Sequence, residues 1–149
     1  MATWQEFAAA APDLAAFGVQ RLVGRVAYLA TIRADGAPRV HPLTPHIGEG
    51  HLFVYMEPTS PKGHDLRHDG RYALHCSVED RSGGEGEFSI RGQAEVIDDP
   101  TMRAVLFEAA RADGSNPQDR YVVFELSIGS ASSTIYEGGQ PMRKRWKAT

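Results

Sequence analysis

Cysteine is almost absent from this 149-residue chain: Cys76 stands alone, so no internal disulfide can form and neither a thiolate zinc site nor a CxxC redox pair can be built. A basic excess is missing too. Sixteen Lys and Arg against 19 Asp and Glu leave a formal net charge of −3, which argues against a dedicated nucleic-acid binder, since such proteins carry a positive surplus. No apolar run approaches the roughly 20 residues that a membrane span needs. The chain does not open on a charged segment followed by an apolar stretch and a cleavage site. These absences lead to the expectation of a soluble cytoplasmic protein that contacts neither nucleic acid nor membrane. No HExxH motif, internal repeat, linker or low-complexity segment occurs. Residues 1–149 are therefore expected to form a single domain, long enough to bury a core.

What the chain does have is alternation. Val26 to Ile32 is an apolar run suited to a pleated, buried surface, Asp35-Gly36 supplies a turn, and Pro38-Arg39-Val40-His41-Pro42 follows as a second strand. Alternate side chains of a strand share a face, so Arg39 and His41 project together while Val40 points the other way, toward the core in this reading. Two cations on one face suggest an anionic ligand; a solvated outer face is the alternative for the hairpin taken alone. Leu52 to Met56 predicts another strand. After it, Glu57 to Pro61 turns into a short helix that Ser60 or Thr59 can cap, with Pro61 in the first turn. A helix start with a hydroxyl, unpaired backbone N–H groups and Lys62 beside it favours an anion, because the donors and the helix dipole both attract negative charge. An ordinary capped helix with a solvent-facing lysine shows the same pattern.

Arg71 to Val78 sets Tyr72, Leu74, Cys76 and Val78 against Ala73, His75 and Ser77, a half-buried strand in which Cys76 is a core residue. Glu79 to Gly86 is polar and glycine-rich, a mobile hairpin loop by composition. Glu87 to Ile97 turns Phe88, Ile90, Ala94 and Val96 to one side and Ser89, Arg91, Gln93 and Glu95 to the other, and Gly92 suits a bulge or a close approach of backbone to ligand. Helices are predicted from the Thr3-Trp4-Gln5-Glu6 capping box, over Pro12 to Leu22 and over Thr101 to Ala112. Tyr121 to Ile128 reads as a strand, with Ala131 to Tyr136 paired against it. His64 and His68 have a spacing that can hold a metal, but no carboxylate partners can be identified and no metal site is assigned. The tail Arg143-Lys144-Arg145-Trp146-Lys147 gathers positive charge around one aromatic residue.

Four segments in order, Val26 to Ile32 with Asp35-Gly36, Pro38 to Pro42, Ser60-Pro61-Lys62 with Leu66, and Phe88 to Ala94, resemble the flavin-binding split-barrel superfamily of pyridoxamine phosphate oxidase and its actinobacterial flavin and deazaflavin relatives. The resemblance implies a mainly β fold, a six-stranded antiparallel split β-barrel with peripheral α-helices, and a homodimer with FMN or a deazaflavin cofactor in the groove between subunits. It implies that Arg39, Ser60 and Lys62 hold the phosphate, that His41, Pro42, Leu43 and Tyr55 line the ring pocket, that Arg91 or Gln93 addresses the polar edge of the flavin, and that Trp146 covers part of the ring. The implied activity is hydride transfer through bound FMN to or from a small-molecule substrate. A deazaflavin-dependent reductase and a non-catalytic flavin or haem carrier are the alternatives. Pyridoxamine phosphate oxidase carries an Arg-x-His substrate motif near its C-terminus; Arg143-Lys144-Arg145 stands in that region here, which speaks against vitamin B6 oxidation. No catalytic side chain is assigned.

Overall fold

A computed structural model describes residues 1–149. Two helices come first, α1 (Trp4–Ala10) and α2 (Pro12–Leu22), followed by strands β1 (Ala27–Ile32), β2 (Pro38–Leu43), β3 (His46–Gly48) and β4 (His51–Met56). Helix α3 (Pro61–His68) leads to β5 (Arg71–Cys76) and β6 (Glu87–Val96), and α4 (Pro100–Ala112) to β7 (Val122–Glu137) and β8 (Gln140–Lys147). All strands join one antiparallel sheet in the order β2-β1-β5-β6-β7-β4-β3, with β8 also paired to β7. Strand β7, 16 residues long, faces β6 along one edge and divides the other edge between two partners. Val122 to Glu125 pair with β4, and Ser130 to Glu137 pair with β8. The sheet forks along β7.

The strand count is eight rather than six, for two reasons. The short β3 folds back on β4 through Glu49 and Gly50, and the basic tail is itself a strand. Gly138 and Gly139, at φ 57° and 78°, make the two-residue turn that folds β8 onto β7, a conformation that side chains resist. The segment Ala131 to Tyr136 is not a separate strand against Tyr121 to Ile128, as expected. It is the far half of β7 and pairs with β6 and β8.

The core follows from the alternation. Leu29, Leu52, Val54, Leu74, Phe88, Ile90, Phe124 and Leu126 fill the inner face, and α1 and α2 close it with Trp4, Phe7, Leu14 and Leu22. The Thr3 hydroxyl accepts from the Glu6 N–H at 3.2 Å and the Glu6 carboxylate from the Thr3 N–H at 2.9 Å, which fixes the start of α1. A second cluster lies on the outer side, where Leu106, Phe107 and Ala110 of α4 cover Phe53 and Val123. Strand β4 is therefore buried on both faces, which accounts for its unbroken apolar run. At Gly92 the partner register jumps from Arg91 with Ser130 to Gly92 with Ile128, so the bulge is on β7, at Gly129. A Cβ on Gly92 would sit 1.8 Å from the Ser127 carbonyl oxygen. This glycine admits a neighbouring backbone, not a ligand.

Candidate cofactor-binding site

On β2, Arg39 lies opposite Thr31 and His41 opposite Leu29, so both share the inner face of the sheet. The alternation is as the sequence predicts, but its other half needs correction. Val40 is 64 % exposed, not a core residue, because β2 is an edge strand and nothing in the chain covers its outer face.

Helix α3 supplies the rest of the cluster. Its only strongly apolar side chain is Leu66, and the face it buries consists of Gly63, Asp65 and Leu66. Gly63 lets the helix approach β4, since a Cβ there would meet the Met56 sulfur at 3.1 Å. One carboxylate oxygen of Asp65, Oδ2, accepts from the Thr31 hydroxyl and from Arg39 Nε, each at 2.7 Å. Burial pushes the Asp65 carboxyl up, but these two hydrogen bonds and the Arg39 charge outweigh it and hold the group below its ordinary value. Ser60 occupies the N-cap position, yet its hydroxyl does not cap the helix. It accepts instead from Lys62 Nζ at 3.0 Å. That is the only hydrogen bond of the Lys62 side chain, and burial draws its ammonium below the usual lysine range. Burial, then the charges of Lys62 and Arg39, lower His41 from 6.5 despite the opposing pull of Asp65, which favours its neutral imidazole.

The chain thus brings together Arg39, His41, Ser60 and Lys62, with Leu43 on the same face of β2. The other expected residues lie elsewhere. Pro42 points outward beside Val40. Tyr55 is not near the cluster: its ring stacks on His46 at 5.0 Å and Tyr121 at 5.5 Å and meets the edge of Phe107 at 5.9 Å, beneath α4. It went there because β4 is buried on both sides and odd-numbered residues face the helix. Arg91 and Gln93 share the outer face of β6, opposite the face that carries Arg39. Trp146 packs against Phe7 at 5.0 Å. Asp65 and Thr31 were missed by the sequence reading, although a helix with one apolar side chain must bury something else, and an acid three residues after Lys62 was a visible candidate.

Three concavities of the chain lie away from this cluster. One is on the outer face of β6 to β8, one lies between the α1–α2 junction and β8, and one is by Gly24 to Tyr28 and Ser77 to Glu79.

A mainly β fold of one antiparallel sheet, with Arg39 and Lys62 gathered against α3, is that of a split-barrel protein. Residues 24–134 match the family model described as pyridoxamine 5′-phosphate oxidase, and the chain belongs to that family. Among solved structures it is similar to the protein Rv2991 from Mycobacterium tuberculosis, with a TM-score of 0.67 at 17 % identity over 89 % of this chain and 83 % of that one. It is also similar to a heme-binding protein from Mycobacterium smegmatis, with a TM-score of 0.66 at 20 % identity over 89 % of this chain, although it spans only 57 % of that protein. A third likeness is to HutZ, a heme storage protein from Vibrio cholerae, with a TM-score of 0.60 at 15 % identity over 92 % and 93 % of the two chains. At these identities the likeness is one of fold. No curated protein matches.

Proposed function

We propose that this protein binds a flavin nucleotide through its phosphate and acts as an FMN-dependent oxidoreductase, with a second copy of the chain completing the groove. The observation that carries the reading is Lys62, a half-buried ammonium whose only partner is a neutral hydroxyl, set beside Arg39 at the start of α3. A half-buried cation without a carboxylate is costly unless an anion arrives. The donor set fits a phosphate: one ammonium, one guanidinium and one hydroxyl, with the adjacent acid already committed to Arg39 and Thr31. Arg39 is oriented by Asp65, and that pairing through Nε leaves its two terminal nitrogens available. Neutral His41 adds a donor or acceptor without adding charge.

A bound flavin would supply the hydride transfer; the chain's own residues bind the phosphate, fix the position of the ring and shape what reaches it. The exposed Val26, Tyr28 and Val40, on the outer face of β1 and β2, support a homodimer in which a second copy covers that apolar surface. Heme binding in two structural neighbours keeps a carrier role as the competing outcome. The test is the absorption spectrum of the purified protein, followed by titration with FMN, a deazaflavin and haem. The proposal expects an oxidised-flavin spectrum or saturable FMN binding. Colourless protein that takes only the deazaflavin makes it a deazaflavin reductase, and a Soret band with no flavin affinity overturns it.

A further inference from the structure

We infer a second, separate anion site on the outer face of β6, β7 and β8, built to take the phosphate group of a small phosphorylated molecule. The strand registers line up two rows of side chains across the three strands: Ser89, Ser132 and Arg145 in one, and Arg91, Ser130 and Lys147 in the next. With strands about 4.8 Å apart and same-face neighbours about 6.7 Å apart, three cations stand at the corners of a patch about 10 Å wide, with hydroxyls between them. These residues line a concavity of about 490 Å³. That volume lies in the range of small-molecule sites, about 300–1,000 Å³.

The charges are unspent. Arg39, Arg71 and Arg120 each hold a carboxylate, whereas Arg91, Arg145 and Lys147 make no ion pair. The acid one row along, Glu87, is met by His75 Nε2 at 3.7 Å. The Ser89 and Ser132 hydroxyls lie 3.0 Å apart, so one donates to the other and a hydrogen is left for a ligand. Guanidinium forks, an ammonium and hydroxyl donors, with no unpaired acid among them, form a donor set that a phosphate dianion satisfies and a neutral ligand does not. Because this face is opposite the one carrying Arg39, the inference does not rest on the flavin reading.

Amide NMR of the full chain, titrated with inorganic pyrophosphate, tests it. The expected result is saturable shifts at Ser89, Ser130 and Ser132 in the submillimolar range, weakened at least tenfold in R145Q/K147Q. Shifts confined to Ser60 and Lys62, or unchanged affinity at Ser132 in the double variant, would overturn the inference. If the variant fails to fold, the map of shifts on the unaltered chain decides alone. Shifts at Ser60 and Lys62 are read separately, so failure of one site is not failure of the other.

Discussion

Replacing Asp65 by asparagine keeps the side chain's shape and removes the charge that Arg39 and Thr31 both address. The carboxylate is 6 % exposed and the Arg39 side chain 26 %, so solvent does not screen the pair away. A hydrogen bond to a charged group contributes about 1.5–3 kcal/mol, and stripping one partner from a buried pair costs about 3–5 kcal/mol. Asparagine still offers one acceptor, and Arg39 retains some water. The expected loss for Asp65→Asn is therefore about 2–4 kcal/mol at pH 7. The pH dependence follows from the direction of the shift. The carboxyl is held below 3.8 in the folded chain, so its contribution is complete above the unfolded value and fades as pH falls through the folded one. The stability gap between wild type and variant should be level from pH 5 to 8 and should shrink below about pH 4. Urea unfolding of cofactor-free protein at fixed concentration measures it. A gap below about 1 kcal/mol, or one that does not narrow in acid, would refute the role given to Asp65.

Gly92→Ala forces a Cβ against the Ser127 carbonyl and should destabilise by about 3 kcal/mol in the same unfolding assay. Val40→Asp places a charge on the exposed outer face of β2; under the proposed homodimer, sedimentation should show a dimer for wild type and a monomer for the variant, while a variant that stays dimeric would remove that face from the interface. The His41 ring should titrate below 6.5 in an NMR pH series, and Lys62→Ala should raise its midpoint, because one of the two cations acting on it is gone.

Apolar runs and periodicity of two made most of the sheet readable in advance: β1 and β4 are where apolar runs put them, and β2, β5 and β6 where alternation does. The strands that escaped are those that carry neither signal. In β8 the residues Gln140 to Lys147 are almost all exposed, and the mark of a strand was Gly138-Gly139, a turn signal at the end of an already long strand. Strand β3 is three residues long, too short for a pattern. The site divides in the same way. Arg39, His41, Ser60 and Lys62 are adjacent in pairs along the chain, and the helix that follows β4 is enough to bring the pairs together. Tyr55, Arg91, Gln93 and Trp146 required knowing which face of the sheet each strand turns toward a covering layer. Val40 shows the limit most plainly, since an edge strand can alternate perfectly and still have no core on one side.

FMN and riboflavin differ only in the phosphate, so comparing their affinities for the same preparation tests the central claim with the ring held constant. The account predicts that FMN binds at least tenfold more tightly, and that Lys62→Ala removes about 1.5–3 kcal/mol of FMN affinity while leaving riboflavin affinity and apo melting nearly unchanged. Equal affinities for the two ligands, or a Lys62→Ala variant that loses apo stability but keeps its preference for FMN, would contradict it.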